Sequence, residues 1–315
     1  KARIEGLPGI AARVSPDTFS VGDGETQELT LSFAVVGSSF DQYSIGAVVL
    51  SREGDDQQLR LPVSLRPVRV AAPRLVAVDS PQTQGAVAIP LRAGFTGQIA
   101  ASGVGLATGV TRPAMTVGRQ RVEPAPDPGI GTLFDLTVPP GAAFLAGATS
   151  NVDDGDPKTD LDLYLFRDEA GDGFQPEDLV ARSARGSAEE DIQIVAPEPG
   201  AYRFTVVGFT TRDPESVFDF TTWLLDDPSP NDQSPAPGFA VGGDTVEVIA
   251  GEAFSLEASW SGLPDGVTGY GLVTYRDTSD PTATPVATTL VRIGPGPSEA
   301  ASPAPERRGR GGPES

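Results

Sequence analysis

Apolar and polar residues alternate along much of the chain with a period of two, the pattern of strands that bury one face. Leu29, Leu31 and Phe33 form one such run, and Leu59, Leu61, Val63 and Leu65 another. Residues 43–50 read as a more continuous apolar strand, and Pro62 suits an edge or a bulge. Further strands are predicted at 75–78, 86–91, 95–101, 134–138, 142–148, 160–166, 192–195, 202–209 and 218–225. Helices fit poorly. Ala-rich pieces such as 141–149 are short and bounded by glycine, and the density of proline forbids long helices.

These elements predict an all-β protein of tandem β-sandwich domains. Residues 13–69 read as a small sandwich. Residues 70–228 carry the strands of a jelly roll. A proline-rich stretch at 226–237 reads as a linker or strap. Residues 238–293 read as a second small sandwich, and the tail 294–315 has too few apolar residues to order itself. A shift of 227 positions lays the first sandwich on the last. Phe19 then falls on Val246, Gly24 on Gly251, Leu29 on Leu256, Phe33 on Trp260 and Tyr43 on Tyr270. Duplication of one sandwich explains this match and predicts a core position for both Phe33 and Trp260.

Composition narrows the chemistry. The chain has no His and no Cys. That removes Ser-His-Asp and Cys-His catalysis, thiolate metal sites, iron–sulfur ligation and disulfides, and disfavours catalytic zinc. Forty-three acidic residues against 23 basic ones leave a net charge of -20, which repels nucleic-acid backbones and anionic membranes. The three arginines of 306–312 are the one basic patch and do not reverse this. No apolar stretch is long enough to span a bilayer, so no membrane insertion is expected. The chain opens on Lys1 without a signal-peptide pattern and is expected to come from inside a longer or matured product.

The densest acidic region holds Asp153, Asp154, Asp156, Asp160 and Asp162, with Asp168 and Asp172 downstream. On a strand from Asp160, Leu161, Leu163 and Leu165 share one face. Asp160 and Asp162 share the other, about 7 Å apart and facing solvent. Loops on either side that brought the remaining aspartates to them would supply the oxygen ligands of a calcium ion. The same residues also fit a solvated acidic edge, since Asp and Gly favour turns, and their spacing is not that of an EF-hand. A carboxylate pair of glycosidase type lacks aromatic platforms, and Lys158 sits in a polar loop unsuited to a Ser-Lys dyad. Trp223 and Trp260 read as core packing, with a carbohydrate platform as the alternative.

Residues 19–21 (FSV), 28–31 (ELTL), 43–50 (YSIGAVVL) and 59–65 (LRLPVSL) resemble a fibronectin-III-like domain. It is the domain that follows the catalytic domain in large secreted subtilisin-like serine proteases. Residues 95–99 (FTGQI) and 103–106 (GVGL) are similar to what comes next in bacterial members. Residues 159–166 (TDLDLYLF) with 199–206 (PGAYRFTV) resemble the jelly-roll pre-peptidase C-terminal type of domain. The resemblance covers roughly 13–225. It implies two small fibronectin-III-like sandwiches flanking a central jelly roll, in the C-terminal region of a secreted or cell-surface peptidase. None of the family's Asp-His-Ser triad has a counterpart here. The expected role is therefore non-catalytic: a monomer supporting the parent's own catalytic domain in folding, stability or positioning of protein or glycan surfaces. The rival expectation is an extracellular adhesion or carbohydrate-binding module.

Overall fold

A computed structural model of the chain describes residues 1–37, 40–54, 57–79, 83–120, 127–212, 214–226, 238–243, 245–279 and 284–294. Most of the expected linker 226–237 and all but the first residue of the tail 294–315 lie outside these. The described residues form 22 strands, two short 3-10 turns and no α-helix, so the chain is all-β. No helix among them is long and apolar enough to cross a membrane.

The first unit holds β1 (Ala2–Gly6), β2 (Ile10–Ser15), β3 (Thr30–Val35), β4 (Ser44–Ser51) and β5 (Gln58–Leu65). They form a three-stranded sheet, β1-β4-β5, and a two-stranded ribbon, β2-β3. Its core is small: Ala2, Leu7, Ala47, Val48 and Val49. Residues 2–12, outside the expected span 13–69, supply β1 and the start of β2.

Four strands follow: β6 (Val70–Ala71), β7 (Leu75–Val78), β8 (Gln84–Ala93) and β9 (Gly97–Thr108). The central module then runs through β10 (Val110–Gly118), β11 (Thr132–Val138), β12 (Phe144–Ser150), β13 (Asp160–Asp168), β14 (Leu179–Ser183), β15 (Asp191–Val195), β16 (Gly200–Thr210) and β17 (Glu215–Leu225). Its two sheets, β10-β17-β12-β15 and β11-β16-β13-β14, pack around Phe134, Leu161, Leu163, Leu165, Phe204, Phe218 and Phe220. The phenyl rings of Phe134 and Phe220 stack with centroids 4.0 Å apart. The alternation of Leu161, Leu163 and Leu165 puts all three in this core, as period two requires.

The chain ends with β18 (Gly238–Val241), β19 (Thr245–Val248), β20 (Ala253–Ser261), β21 (Gly269–Asp277) and β22 (Ala287–Ile293). These do not close on themselves. β20 pairs along its whole length with β8, from Ala253 opposite Arg92 to Ser261 opposite Gln84. β21 pairs with β9, and β22 runs parallel to β7. The result is a second sandwich of two sheets, β18-β20-β8-β6 and β19-β9-β21-β22-β7, around Ile89, Ile99, Leu256, Trp260, Val273, Tyr275 and Val291. The strand ladders thus group residues 70–108 with 238–293, not with the central module as the linear order 70–228 and 238–293 had it. The physical reason is strand supply, since the five strands of 238–293 leave both sheets incomplete until β6, β7, β8 and β9 pair with them. The central module is an insertion whose first and last strands lie side by side, with Val110 opposite Thr222.

Backbone geometry supports the internal repeat. With the shift of 227, the Ser51 N–H donates to the Lys1 carbonyl at 2.9 Å where the Thr278 N–H donates to Gln98 at 3.1 Å. The Glu25 N–H donates to Gly22 at 3.1 Å where the Glu252 N–H donates to Ile249 at 3.0 Å. Gly24 and Gly251 both adopt positive φ, +77° and +86°, a conformation glycine reaches without a Cβ penalty. The β2-β3 and β18-β20 ladders have the same register, Arg13 opposite Ser32 and Ala240 opposite Ser259. In the first unit β1 passes to β2 through residues 7–9. In the second sandwich that turn is replaced by the whole central module.

Candidate functional site

Asp160 and Asp162 lie on the face of β13 opposite its leucines, but that face is not open to water. Tyr164, Phe166 and Val207 are buried on it beneath Phe174 and Leu179. Asp162 is only 8% exposed and accepts a hydrogen bond from the Tyr164 hydroxyl at 3.1 Å. Burial raises its pKa. One oxygen of Asp160, Oδ1, is buried without a partner. Burial, then Asp162, then Glu190 push its carboxyl up to about 6.

The other aspartates have local tasks. Asp153 accepts from the Thr159 hydroxyl at 2.6 Å and from the Val217 N–H at 2.8 Å, tying the loop before β13 to β17. Burial opposes its ionisation, yet the hydrogen bonds from Thr159, Ser216 and Val217 outweigh it and hold its pKa low. Asp156 accepts from the Lys158 N–H at 3.0 Å. The side chain of Asp154 is outside the described residues. Asp168 closes the loop beyond β13, accepting from Gly171 N–H at 2.6 Å and Gly173 N–H at 3.1 Å. It stands six residues along the strand from Asp162, about 20 Å by strand rise. Asp168 and Asp172 are therefore at the far end of β13 and do not join Asp160 and Asp162. Among the described residues no three acidic side chains are grouped to hold a metal.

The acidic residue most deeply built into this end is Glu190, which no strand pattern marks because its burial depends on β12 pairing with β15. It is fully buried. It accepts from the Ser183 hydroxyl, from the Arg185 N–H at 2.9 Å and from Arg185 Nε at 3.3 Å. Its own N–H donates to Thr149 Oγ1 at 2.8 Å. Beside it, Asn151, Asp156, Thr159, Ser187 and Glu189 line an open groove of about 790 Å³.

Asp160→Asn is expected to stabilise the protein at pH 7. A carboxyl with a raised folded-state pKa favours folding below its unfolded value and loses that contribution as pH rises through about 6. Removing the charge should gain about 1 kcal/mol at neutral pH, after allowance for solvent screening, and nothing below pH ~4. Urea titrations at pH 4 and pH 7 measure this.

A second cluster joins the central module to the second sandwich. Phe144, Ala146, Trp223 and Leu225 of the module pack on Ala107, Tyr270, Leu272 and Leu290. The Trp223 indole meets Tyr270 edge-on at 5.4 Å and donates its N–H to the Thr268 carbonyl at 3.0 Å. Trp260 is buried in the core of the second sandwich. Neither indole faces solvent, so neither serves as a carbohydrate platform.

Among the described residues, the first unit presents the same positions without a cover. Tyr43 and Ile45, the counterparts of Tyr270 and Leu272, are 70% and 68% exposed. Phe33, expected in a core, is 39% exposed where its counterpart Trp260 is 4% exposed. The repeat alignment contained this signal, since it equates Tyr43 with a residue whose cover has no equivalent in the first unit.

No protein-family model matches the chain. A stretch of 90 residues is 36% identical to Pyrolysin of Pyrococcus furiosus, covering 29% of this chain and 6% of Pyrolysin. The likeness thus reaches only a small part of that protein's length. Among solved structures, that of infectious bursal disease virus Gx strain is similar at a TM-score of 0.17 and 9% identity, covering 87% of this chain and 60% of the viral one. The CupB6 tip adhesin of Pseudomonas aeruginosa is similar at a TM-score of 0.15 and 10% identity, covering 92% of this chain and 78% of the adhesin. At such scores neither structural likeness carries an argument.

Proposed function

We propose that this chain is a non-catalytic accessory region of a secreted subtilisin-like serine peptidase. It would consist of fibronectin-III-like sandwich units and a jelly-roll module of pre-peptidase C-terminal type. The observation that carries this reading is the uncovered apolar face at Tyr43 and Ile45. In the second sandwich the matching face, Tyr270 and Leu272, is covered by a neighbouring module. The first unit is read as resting the same kind of face on the parent's catalytic domain. The partial likeness to Pyrolysin supports the family, and the absence of His keeps the chemistry elsewhere in the parent.

The test is made in the full-length parent. Tyr43→Asp combined with Ile45→Asp is expected to shorten the half-life of peptidase activity at elevated temperature while leaving peptide hydrolysis at 25 °C unchanged. An unaltered half-life would refute the packing role. A reading frame with no Asp-His-Ser catalytic domain would refute the peptidase assignment itself.

A further inference from the structure

In the second sandwich β20 is flanked on both sides, by β18 and by β8. In the first unit its counterpart β3 is flanked only by β2, and among the described residues its other edge is unpaired. The core-facing residues of β20 are Leu256, Ala258 and Trp260, which pair with Ile89, Val87 and Gly85 of β8. Their counterparts are Leu29, just ahead of β3, and Leu31 and Phe33 on it. Leu256, Ala258 and Trp260 are buried, whereas Leu29 and Leu31 are only partly buried and Phe33 is exposed. A two-stranded ribbon with a free edge and an uncovered apolar face is marginal in water and prone to wrong pairing.

We infer that the free edge of β3 receives an antiparallel strand of alternating aliphatic residues, supplied by the polypeptide leading directly into Lys1. Connectivity supports this source. Ala2 pairs with Leu50 where Ile99 pairs with Asp277, so the repeat places Ala2 on Ile99 and Lys1 on Gln98. In the second sandwich the strand that covers this edge ends at Ala93, a few residues ahead of Gln98. A segment entering Lys1 therefore reaches the β3 edge by the same short connection. Its pattern follows that of β8, where Val87, Ile89 and Leu91 point into the core. The first sandwich is thereby completed by strand addition, in which backbone hydrogen bonds give affinity and alternate side chains give register. The inference needs the repeat alone and no peptidase upstream.

The experiment extends the chain at Lys1 with a copy of residues 84–97 and follows amide hydrogen exchange across 30–35. Tethering places the copy at roughly millimolar effective concentration. Exchange over 30–35 is expected to slow at least about tenfold relative to the unextended chain. The same extension carrying Val87→Asp, Ile89→Asp and Leu91→Asp in the appended copy is expected to give no protection. A free peptide of residues 84–93, added at millimolar concentration to the unextended chain, should protect the same amides even if the fusion misfolds. Equal exchange with the fusion and the free peptide as without them overturns the inference. So does protection of 30–35 in the unextended chain that rises with protein concentration alongside a dimer in sedimentation, because the edge would then belong to a second copy.

Discussion

Trp223→Ala is expected to destabilise the junction between the central module and the second sandwich by about 3–5 kcal/mol, the range for truncating a large buried aromatic. The indole fills the space between the two bodies, meets Tyr270 edge-on and satisfies the Thr268 carbonyl through its N–H. All three contributions vanish together, leaving a cavity beside Phe144, and the part-buried Thr268 carbonyl loses the indole N–H. Because the cluster links two cores, the loss should also split unfolding. Differential scanning calorimetry is expected to show one cooperative transition for these two bodies in the unaltered protein and two in the variant. Trp223→Phe, which keeps most of the ring but not the donor, should retain a single transition. A single unshifted transition in the alanine variant would mean that the junction contributes nothing to cooperativity.

Glu190→Ala ranks next, with an expected cost of about 2–4 kcal/mol. The substitution strips a partner from the buried Ser183 hydroxyl, which costs about 1–3 kcal/mol when left unpaired, and from the partly buried Arg185 N–H. Glu190→Gln keeps an acceptor at the same place and should cost less than half as much. It also separates charge from hydrogen bonding. Burial raises the Glu190 pKa against the hydrogen bonds that lower it. The carboxyl therefore favours folding most below its unfolded value of 4.5 and progressively less as pH rises. The glutamine variant should lose that slope. Chemical unfolding of both variants across pH 4–8 gives the comparison, and equal stabilities for alanine and glutamine would show that the hydrogen bonds of Glu190 are immaterial.

Much of the strand content is legible in the sequence because burial on one face imposes period two. The leucines of β13 and the turn at Gly24, repeated at Gly251, are read directly from spacing. The partners of those strands are less legible. A pattern of apolar residues states that a face is buried but not by what. β8 follows the first unit in sequence yet pairs with β20, and nothing in its alternation names a partner so distant along the chain. The acidic residues show the same limit. Spacing put Asp160 and Asp162 on one face of β13 correctly, but the cover on that face, Phe174 and Leu179 over Tyr164 and Phe166, comes from further along the chain. Asp168 looks close to Asp162 in the sequence and is separated from it by the length of the strand itself. Glu190 and Trp223 owe their roles to contacts made across sheets, which no local pattern contains.

The division of the second sandwich into two stretches of chain has a consequence for its birth on the ribosome. When β8 and β9 emerge, only the two-residue β6 is there to pair with β8, and their other partners β19, β20 and β21 have not been synthesised. The central module is contiguous and emerges next, so it can fold while β8 and β9 still wait for partners. Once folded, it holds its first and last strands side by side and brings Thr108 close to the end of β17. The long loop that the second sandwich must close is then spanned by the folded module, and the entropic cost of closing it falls towards that of the stretch between Leu225 and Gly238 alone. The module so becomes the template on which its own host is assembled, and slow translation through 110–225 should raise the yield of the whole.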